Sequence, residues 1–105
     1  MDIATDVSAA TEARANIRTF LEFFRAGLFD DASRALTNYA AALLPVGRVY
    51  GTPPLGSPVI AELTNELKAT FKRASKARKS QFQSAMAAAR KVNKDAWFST
   101  LEFGR

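Results

Sequence analysis

Apolar residues near the start of the chain recur at spacings of three and four positions, which is the pattern of an amphipathic helix. The residues that share this face are Ile17, Phe20, Leu21, Phe24 and Leu28. The pattern predicts a first helix over residues 9–26. Gly27 is well placed to end it, because glycine readily adopts the left-handed conformation that often follows a helix.

A second apolar stripe follows after a short gap and consists of Leu36, Tyr39, Ala40, Leu43 and Leu44. This stripe predicts a helix over residues 32–44. Asp30 or Asp31 is expected to be its N-cap, because a carboxylate oxygen can accept hydrogen bonds from the free backbone N–H groups of the first turn. Proline disfavours helical geometry in the residue before it, so Pro45 is expected to close the segment.

The remainder of the chain divides into a connector and one long periodic segment. All four prolines and three of the five glycines fall in residues 45–58, which predicts a connector. Ser57 followed by Pro58 is a helix start signal. Beyond it, the apolar residues fall within an arc of about 100° on a helical wheel. They are Ile60, Leu63, Leu67, Phe71, Ala74, Phe82, Ala85, Ala89, Val92 and Ala96. We therefore expect a single helix over residues 58–98.

Together these elements predict an all-α fold with one domain over residues 1–105, in which two shorter helices pack against one long C-terminal helix. That helix would be about 55 Å long at 1.5 Å per residue. Its apolar stripe would extend beyond the cover that two helices of roughly half its length can provide. We therefore expect a second copy to cover the excess, in a helical-bundle homodimer or a higher assembly.

The composition excludes several kinds of chemistry. The 105 residues include no cysteine and no histidine, so disulfides, thiolate zinc sites, thiol nucleophiles and the commonest catalytic base are all absent. No pair of catalytic carboxylates or nucleophile motif replaces them, and we expect no enzyme activity, cofactor or metal site. The chain also lacks an apolar stretch long enough for a membrane span and a signal peptide after Met1, which predicts a cytoplasmic protein.

The net charge of +5 is concentrated in the C-terminal part of the chain. Residues 1–67 carry five basic and eight acidic side chains, whereas residues 68–105 carry ten basic and two acidic ones. On the helical wheel, basic residues of the predicted long helix form a row beside the apolar stripe, with no acid between residues 68 and 94. They are Lys68, Lys72, Lys76, Lys79, Arg90 and Lys94, with Arg73 and Lys91 further round the same helix.

This row is the main candidate for function. Cations on successive turns would lie about 5–6 Å apart, close to the spacing of phosphates along a nucleic-acid strand. We therefore predict that the row binds nucleic acid, and that Arg14, Arg18 and Arg25, which share one face of the first helix, extend the footprint. Few Asn or Gln side chains accompany the row, so binding is expected to be independent of base sequence. A long helix suits the A-form minor groove, which favours duplex RNA slightly over DNA.

Other functions are compatible with the same pattern. The basic row could bind an anionic membrane surface or an acidic protein, or be a solvated face without a ligand. The long apolar stripe also suits a self-assembling structural subunit of a capsid, nucleocapsid or filament. A nucleocapsid-like subunit would both assemble and bind nucleic acid.

In length, helix content and the basic face of residues 68–94, the chain is similar to the small all-helical RNA-silencing suppressors of insect nodaviruses. Those proteins are dimers of helical hairpins that lie along double-stranded RNA through a basic helical face. The connector at residues 45–58 departs from that plan. The resemblance implies a viral accessory protein that binds duplex RNA, in the host cytoplasm or in the virion.

Two further features concern the C-terminal part. Arg78 falls inside the apolar arc, where it would either pair with an acid of a partner chain or extend its charged end to solvent. An apolar end follows, formed by Trp97, Phe98, Leu101 and Phe103. We expect these side chains to cap the core, because exposed aromatic rings would be needed for the alternative role of stacking on bases.

Overall fold

A computed structural model describes residues 3–51 and 58–103 of the chain, and it describes side chains over 11–43, 58–99 and 101–103. Within these ranges the protein is all-helical and has no strand, so the predicted fold class is confirmed. The elements are α1 (Ile3–Arg25), α2 (Phe29–Gly51), α3 (Pro58–Arg73), α4 (Lys76–Val92) and a short 3-10 helix (Trp97–Thr100). The predicted plan of two shorter helices against one long helix is not observed, because four helices of comparable length take its place.

The end of α1 follows the sequence prediction, although the helix begins earlier than expected. Gly27 has φ +83°. The Leu28 N–H donates to the Phe23 carbonyl oxygen at 2.9 Å, and the Gly27 N–H donates to the Phe24 carbonyl oxygen at 3.1 Å. This pair of bonds is the Schellman motif, in which a left-handed residue satisfies the last free carbonyls of a helix.

The start of α2 differs from the prediction. The Ala32 N–H donates to the Leu28 carbonyl oxygen at 2.9 Å, so the helix begins at Phe29. Asp30 and Asp31 therefore lie in the first turn and are not the N-cap. Their charges still favour the helix, because the N-terminal end of a helix dipole attracts negative charge.

The predicted end of the second helix is wrong. α2 passes through Pro45 and ends at Gly51, so residues 45–51 of the predicted connector are helical. The remainder of that connector before Pro58, residues 52–57, lies outside the described residues. Proline removes one backbone hydrogen bond, but its fixed φ is compatible with the helix that follows it.

The predicted long helix is broken into three parts. Its start at Pro58 is confirmed, but α3 ends at Arg73 and a new helix begins at Lys76. The end of the predicted helix is the 3-10 helix at residues 97–100, separated from α4 by a turn around Asn93. The longest dimension of the molecule is 42 Å, shorter than the rod that the sequence predicted.

The side-chain contacts show how the helices are arranged. Arg14 contacts Glu62 and Arg25 contacts Thr70, so α1 and α3 run in the same direction. Contacts between the Phe20 and Phe82 rings and between Arg78 and Phe24 show that α4 runs opposite to α1. The chain therefore forms an antiparallel α1–α2 hairpin, with α4 packed along α2 and α3 beside α1. α3 and α4 run in opposite directions and make few contacts with each other.

A cluster of aromatic rings occupies the centre of the core, and Phe82 is its hub. The Phe82 ring centroid lies 5.4 Å from Phe20, 5.2 Å from Phe24, 5.4 Å from Phe71 and 5.0 Å from Phe103. All four ring pairs meet edge to face, a geometry that aromatic quadrupoles favour. The C-terminal segment thus completes the core by placing Phe103 against both α3 and α4.

The apolar stripe of the predicted long helix is buried within the chain. Its buried members are Ile60, Leu63, Leu67, Phe71, Phe82, Ala85, Ala89 and Ala96. Among the described large apolar side chains, only Leu28 and Val92 are exposed, at 47% and 39%. The uncovered surface that predicted a second copy is therefore missing from the described residues, and the homodimer stays a prediction. No helix in the described ranges combines the length and apolarity that a membrane span requires.

The apolar C-terminal end packs onto the core, as predicted. Phe98 is fully buried and stacks on Tyr39 with ring centroids 5.7 Å apart. The Trp97 indole N–H donates to the Tyr39 hydroxyl oxygen at 3.5 Å. Burial raises the pKa of Tyr39, and the negative charge of Glu12 raises it further, whereas the Trp97 hydrogen bond lowers it.

Candidate functional site

The break between α3 and α4 determines where the candidate cations lie. Ser75 is the N-cap of α4, with ψ 166°, and its Oγ accepts a hydrogen bond from the Arg78 N–H at 3.3 Å. The Lys79 N–H donates to the Ser75 carbonyl oxygen at 2.8 Å and starts the new helix. Ser75 therefore turns the chain between two antiparallel helices.

This turn divides the predicted basic row into two groups. Residues 68–73 provide cations at the end of α3, and residues 76–79 provide more at the start of α4, so the two sets lie on either side of the turn. Arg90 and Lys91 lie near the other end of α4, with Arg90 about 21 Å along its axis from Lys76 at 1.5 Å per residue, and Lys94 follows that end. The continuous row on one long helix is therefore wrong, because the helix that would carry it reverses direction at Ser75.

Several of the predicted site residues make structural contacts. Arg14 and Arg18 both pair with Glu62 across the α1–α3 interface, with Nη2 3.2 Å from Oε2 and Nη2 3.7 Å from Oε1 respectively. The Arg90 Nε–H donates to the Ser99 carbonyl oxygen at 2.9 Å and so ties the 3-10 helix to α4. Of the three arginines predicted to extend the footprint, Arg25 reaches the α3–α4 turn, where its Nη2 donates to Thr70 Oγ1 at 3.0 Å.

The cations near the end of α1, the end of α3 and the start of α4 lie at one end of the bundle, and we name this group the basic corner. It comprises Arg25, Lys68, Lys72, Arg73, Lys76, Arg78 and Lys79. None of these side chains is ion-paired with an acid in the part of the chain that the structure describes. Most of them are exposed, whereas Arg78 and Lys79 are half-buried. The Lys79 ammonium lies 5.6 Å from the centre of the Phe71 ring.

Arg78 joins the basic corner to the core, a role that the sequence analysis did not identify. Its Nη1–H donates to the Phe24 carbonyl oxygen, and its guanidinium carbon lies 5.6 Å from the centre of the Phe24 ring. It therefore neither pairs with an acid nor extends freely to solvent, but caps the C-terminus of α1. The signal in the sequence was an arginine on the apolar arc between Ala74 and Phe82.

A cavity of about 510 Å³ opens within the basic corner, between the ends of α1 and α3 and the start of α4. We name it the arginine pocket. It is lined by Phe24, Arg25, Thr70, Arg73, Ala74, Ser75 and Arg78. The lining thus provides three guanidinium groups and two hydroxyls and includes no carboxylate. Such a lining favours a negatively charged group.

Two carboxylates lie at the same end of the molecule. Asp30 and Asp31 are in the first turn of α2, directly after the turn that contains Gly27. Asp31 pairs with Arg34 at 3.7 Å within α2. Neither carboxylate lines the arginine pocket, so the pocket keeps its positive character.

Comparison with known proteins adds no relative. No known protein family matches the chain, and no curated protein or solved structure is significantly similar to it. The function of the basic corner is therefore inferred from its geometry and charge.

Proposed function

We propose that the protein binds nucleic acid without sequence specificity, through phosphate contacts made by the basic corner. The observation that carries the proposal is the concentration of charge at the α3–α4 turn. Six of the twelve residues from 68 to 79 are Lys or Arg, none is acidic, and Arg25 joins them from α1. A bound polyanion would relieve the repulsion among these cations.

A solvated surface is the main competing explanation for such a patch. Exposed charged faces on helices usually carry acids three or four positions from the bases, because those pairs relieve repulsion and add stability. No base within residues 68–79 has an acid three or four positions away, whereas α2 has such a pair in Asp31 and Arg34. Arg25 has Glu22 three positions before it, but the two are not ion-paired in the described part of the chain. The difference favours a ligand for the corner over simple solvation.

The proposed binding surface is the basic corner instead of the long basic helix that the sequence predicted. The preference for duplex RNA depended on a long, straight helix lying along the groove, and that helix is broken at Ser75. The basic corner is a compact surface, and it offers phosphate contacts to a duplex of either RNA or DNA. Because phosphates carry no sequence information, binding is expected to be strongly dependent on salt and tolerant of base sequence.

The alternative of a self-assembling subunit was suggested by the apolar stripe, and most of that stripe is buried among the described residues.

An acidic protein is an alternative ligand, because it has the same sign of charge as nucleic acid. A pull-down from lysate with and without nuclease treatment distinguishes the two ligands, because nuclease treatment removes bound nucleic acid and leaves a bound acidic protein.

The test is a titration of the whole chain against labelled RNA and DNA duplexes of equal length at several salt concentrations. Each phosphate contact is expected to add about 0.9 to the negative slope of log K against log salt. Reversal of two exposed corner charges in the double variant Lys72→Glu and Lys76→Glu should abolish binding at moderate salt. Absence of binding by the unaltered chain even at low salt would refute the proposal.

A matched control separates the basic corner from net charge alone. The double variant Lys91→Glu and Lys94→Glu changes the net charge by the same amount, but at the other end of α4. This control should bind nearly as tightly as the unaltered chain. Equal loss in both double variants would show that the corner has no special role. Circular dichroism should show the same helix content in all three proteins.

A further inference from the structure

The arginine pocket differs from the rest of the basic corner because it is concave and built from three helices. Arg25 comes from the end of α1, Arg73 from the end of α3 and Arg78 from the first turns of α4. The Thr70 and Ser75 hydroxyls complete its polar lining, and Phe24 and Ala74 supply an apolar part. The lining brings three like-charged side chains together with no carboxylate, and an anion bound there would reduce their mutual repulsion.

Each arginine keeps donors for such an anion. A guanidinium has five N–H groups. Arg78 donates one of them to the Phe24 carbonyl oxygen, and Arg25 donates one to Thr70 Oγ1. Arg73 makes no hydrogen bond or ion pair with any described residue and is exposed beside the cavity. The pocket therefore offers several charge-assisted donors to a single oxygen-rich group.

We infer that the arginine pocket binds the terminal phosphate of a nucleic-acid strand, an inference that rests on the proposed function. A terminal phosphate monoester carries a charge of about −1.5 to −2 at pH 7 and has three strong acceptor oxygens. An internal phosphodiester carries a single charge. The charge of three arginines matches the monoester better.

The shape of the pocket is compatible with a terminal phosphate. The pocket is a depression that is open to solvent, so a phosphate at the end of a strand can reach its lining residues from outside. The start of α4 at the same place adds a favourable dipole, although the ends of α1 and α3 oppose it.

A purely structural role for the arginines makes a different prediction. Cations in the last turn stabilise the C-terminus of a helix, and Arg25 and Arg73 both occupy such positions. If that were their whole role, replacement of Arg73 would lower stability slightly and leave the choice between phosphorylated and unphosphorylated strands unchanged.

The experiment compares two short RNA duplexes of identical sequence, one with 5′-phosphates and one with 5′-hydroxyls, by fluorescence titration at the same salt concentration. The unaltered chain should bind the phosphorylated duplex about tenfold more tightly, the effect of one additional charge-assisted contact. Arg73→Gln should remove this preference. Lys68→Gln removes one charge outside the pocket lining. It should weaken the binding of both duplexes and leave the preference for the phosphorylated one unchanged.

Equal binding of the two duplexes by the unaltered chain would overturn the inference and leave the proposed function intact. A second measurement uses no nucleic-acid duplex, so the two proposals can fail separately. A nucleoside 5′-monophosphate should shift the backbone amide signals of residues 73–78 in an NMR titration, whereas the unphosphorylated nucleoside should not. Equal shifts with the two compounds, or none with either, would also overturn the inference.

Discussion

The Arg78 guanidinium donates a hydrogen bond to the backbone carbonyl oxygen of Phe24 and lies against the Phe24 ring. This contact joins the start of α4 to the end of α1, which are 54 residues apart in sequence. It also packs Arg78 against Gly27, where a Cβ would lie 3.2 Å from Nη2. The left-handed glycine that ends α1 therefore also leaves space for the side chain that caps α1.

Replacement of Arg78 by methionine should lower the free energy of unfolding by about 1–3 kcal/mol, because the hydrogen bond from the charged guanidinium to the Phe24 carbonyl oxygen is lost. That oxygen keeps the Gly27 N–H as a donor, and the aliphatic part of the side chain is retained. Urea unfolding followed by circular dichroism measures the change. Arg73→Met is the control, since Arg73 makes no contact of this kind, and it should change stability by less than about 0.5 kcal/mol. Equal effects of the two substitutions would contradict the capping role of Arg78.

The aromatic cluster around Phe82 should dominate stability. Phe82 is fully buried and contacts four other rings, so Phe82→Ala is expected to cost about 3–5 kcal/mol. Phe103→Ala removes a half-buried ring that contacts Phe71 and Phe82, and it should cost less. Because the two rings touch, the double variant Phe82→Ala and Phe103→Ala should lose less free energy of unfolding than the two single variants lose in sum. Additive losses in urea unfolding would show that the C-terminal segment does not share this core.

The passage of α2 through Pro45 gives a test of the helix boundary. Proline within a helix costs up to about 3 kcal/mol through a lost hydrogen bond and a steric clash. Pro45→Ala should therefore raise the free energy of unfolding by about 1–3 kcal/mol. Pro58→Ala is the matched control, because the first residue of a helix has no partner for its N–H, and it should bring no gain. A helix that ended before Pro45 would show no gain from either substitution.

Tyr39 should make stability depend on pH in the alkaline range. Burial raises its pKa above the ordinary value of 10.0, so the folded state holds the hydroxyl proton more tightly than the unfolded state. The contribution of the Tyr39 hydroxyl to stability is complete below the pKa that this group has in the unfolded chain. It is lost as pH rises above that value, because the unfolded chain releases the proton at a lower pH than the folded protein does. Urea unfolding across about pH 8–11 should show a smaller loss for Tyr39→Phe than for the unaltered chain. Parallel pH profiles would contradict the raised pKa.

Local signals in the sequence identified several features of the fold correctly. The fold class followed from the periodicity, the end of α1 from Gly27, and the start of α3 from Pro58. These features depend on the conformations of a few consecutive residues, and glycine and proline restrict or permit those conformations directly. The extent of α2 did not follow, because proline favours a helix boundary at the residue before it without enforcing one, and α2 continues through Pro45 to Gly51.

The prediction of one continuous helix through Ser75 is wrong, and this difference changes the candidate site more than any other. Apolar periodicity continues across Ser75 because both α3 and α4 face the same core, so a helical wheel does not distinguish a straight helix from a hairpin. Two weak signals were present in the sequence, namely a serine suited to capping and an arginine on the apolar arc at position 78. The sequence shows that the cations are an unbalanced group, but their position beside Arg25 depends on tertiary contacts that no sequence period encodes.

The position of Phe103 has a consequence for biosynthesis. The ring that packs on both Phe71 and Phe82 is supplied by the C-terminal segment, after α4. On the ribosome, α1 to α4 emerge before this ring does, so the aromatic cluster of the nascent bundle lacks one of its members. Release of residue 103 from the exit tunnel therefore sets the earliest moment at which the nascent chain can reach its final packing, and until then the Phe71 and Phe82 rings lack this cover.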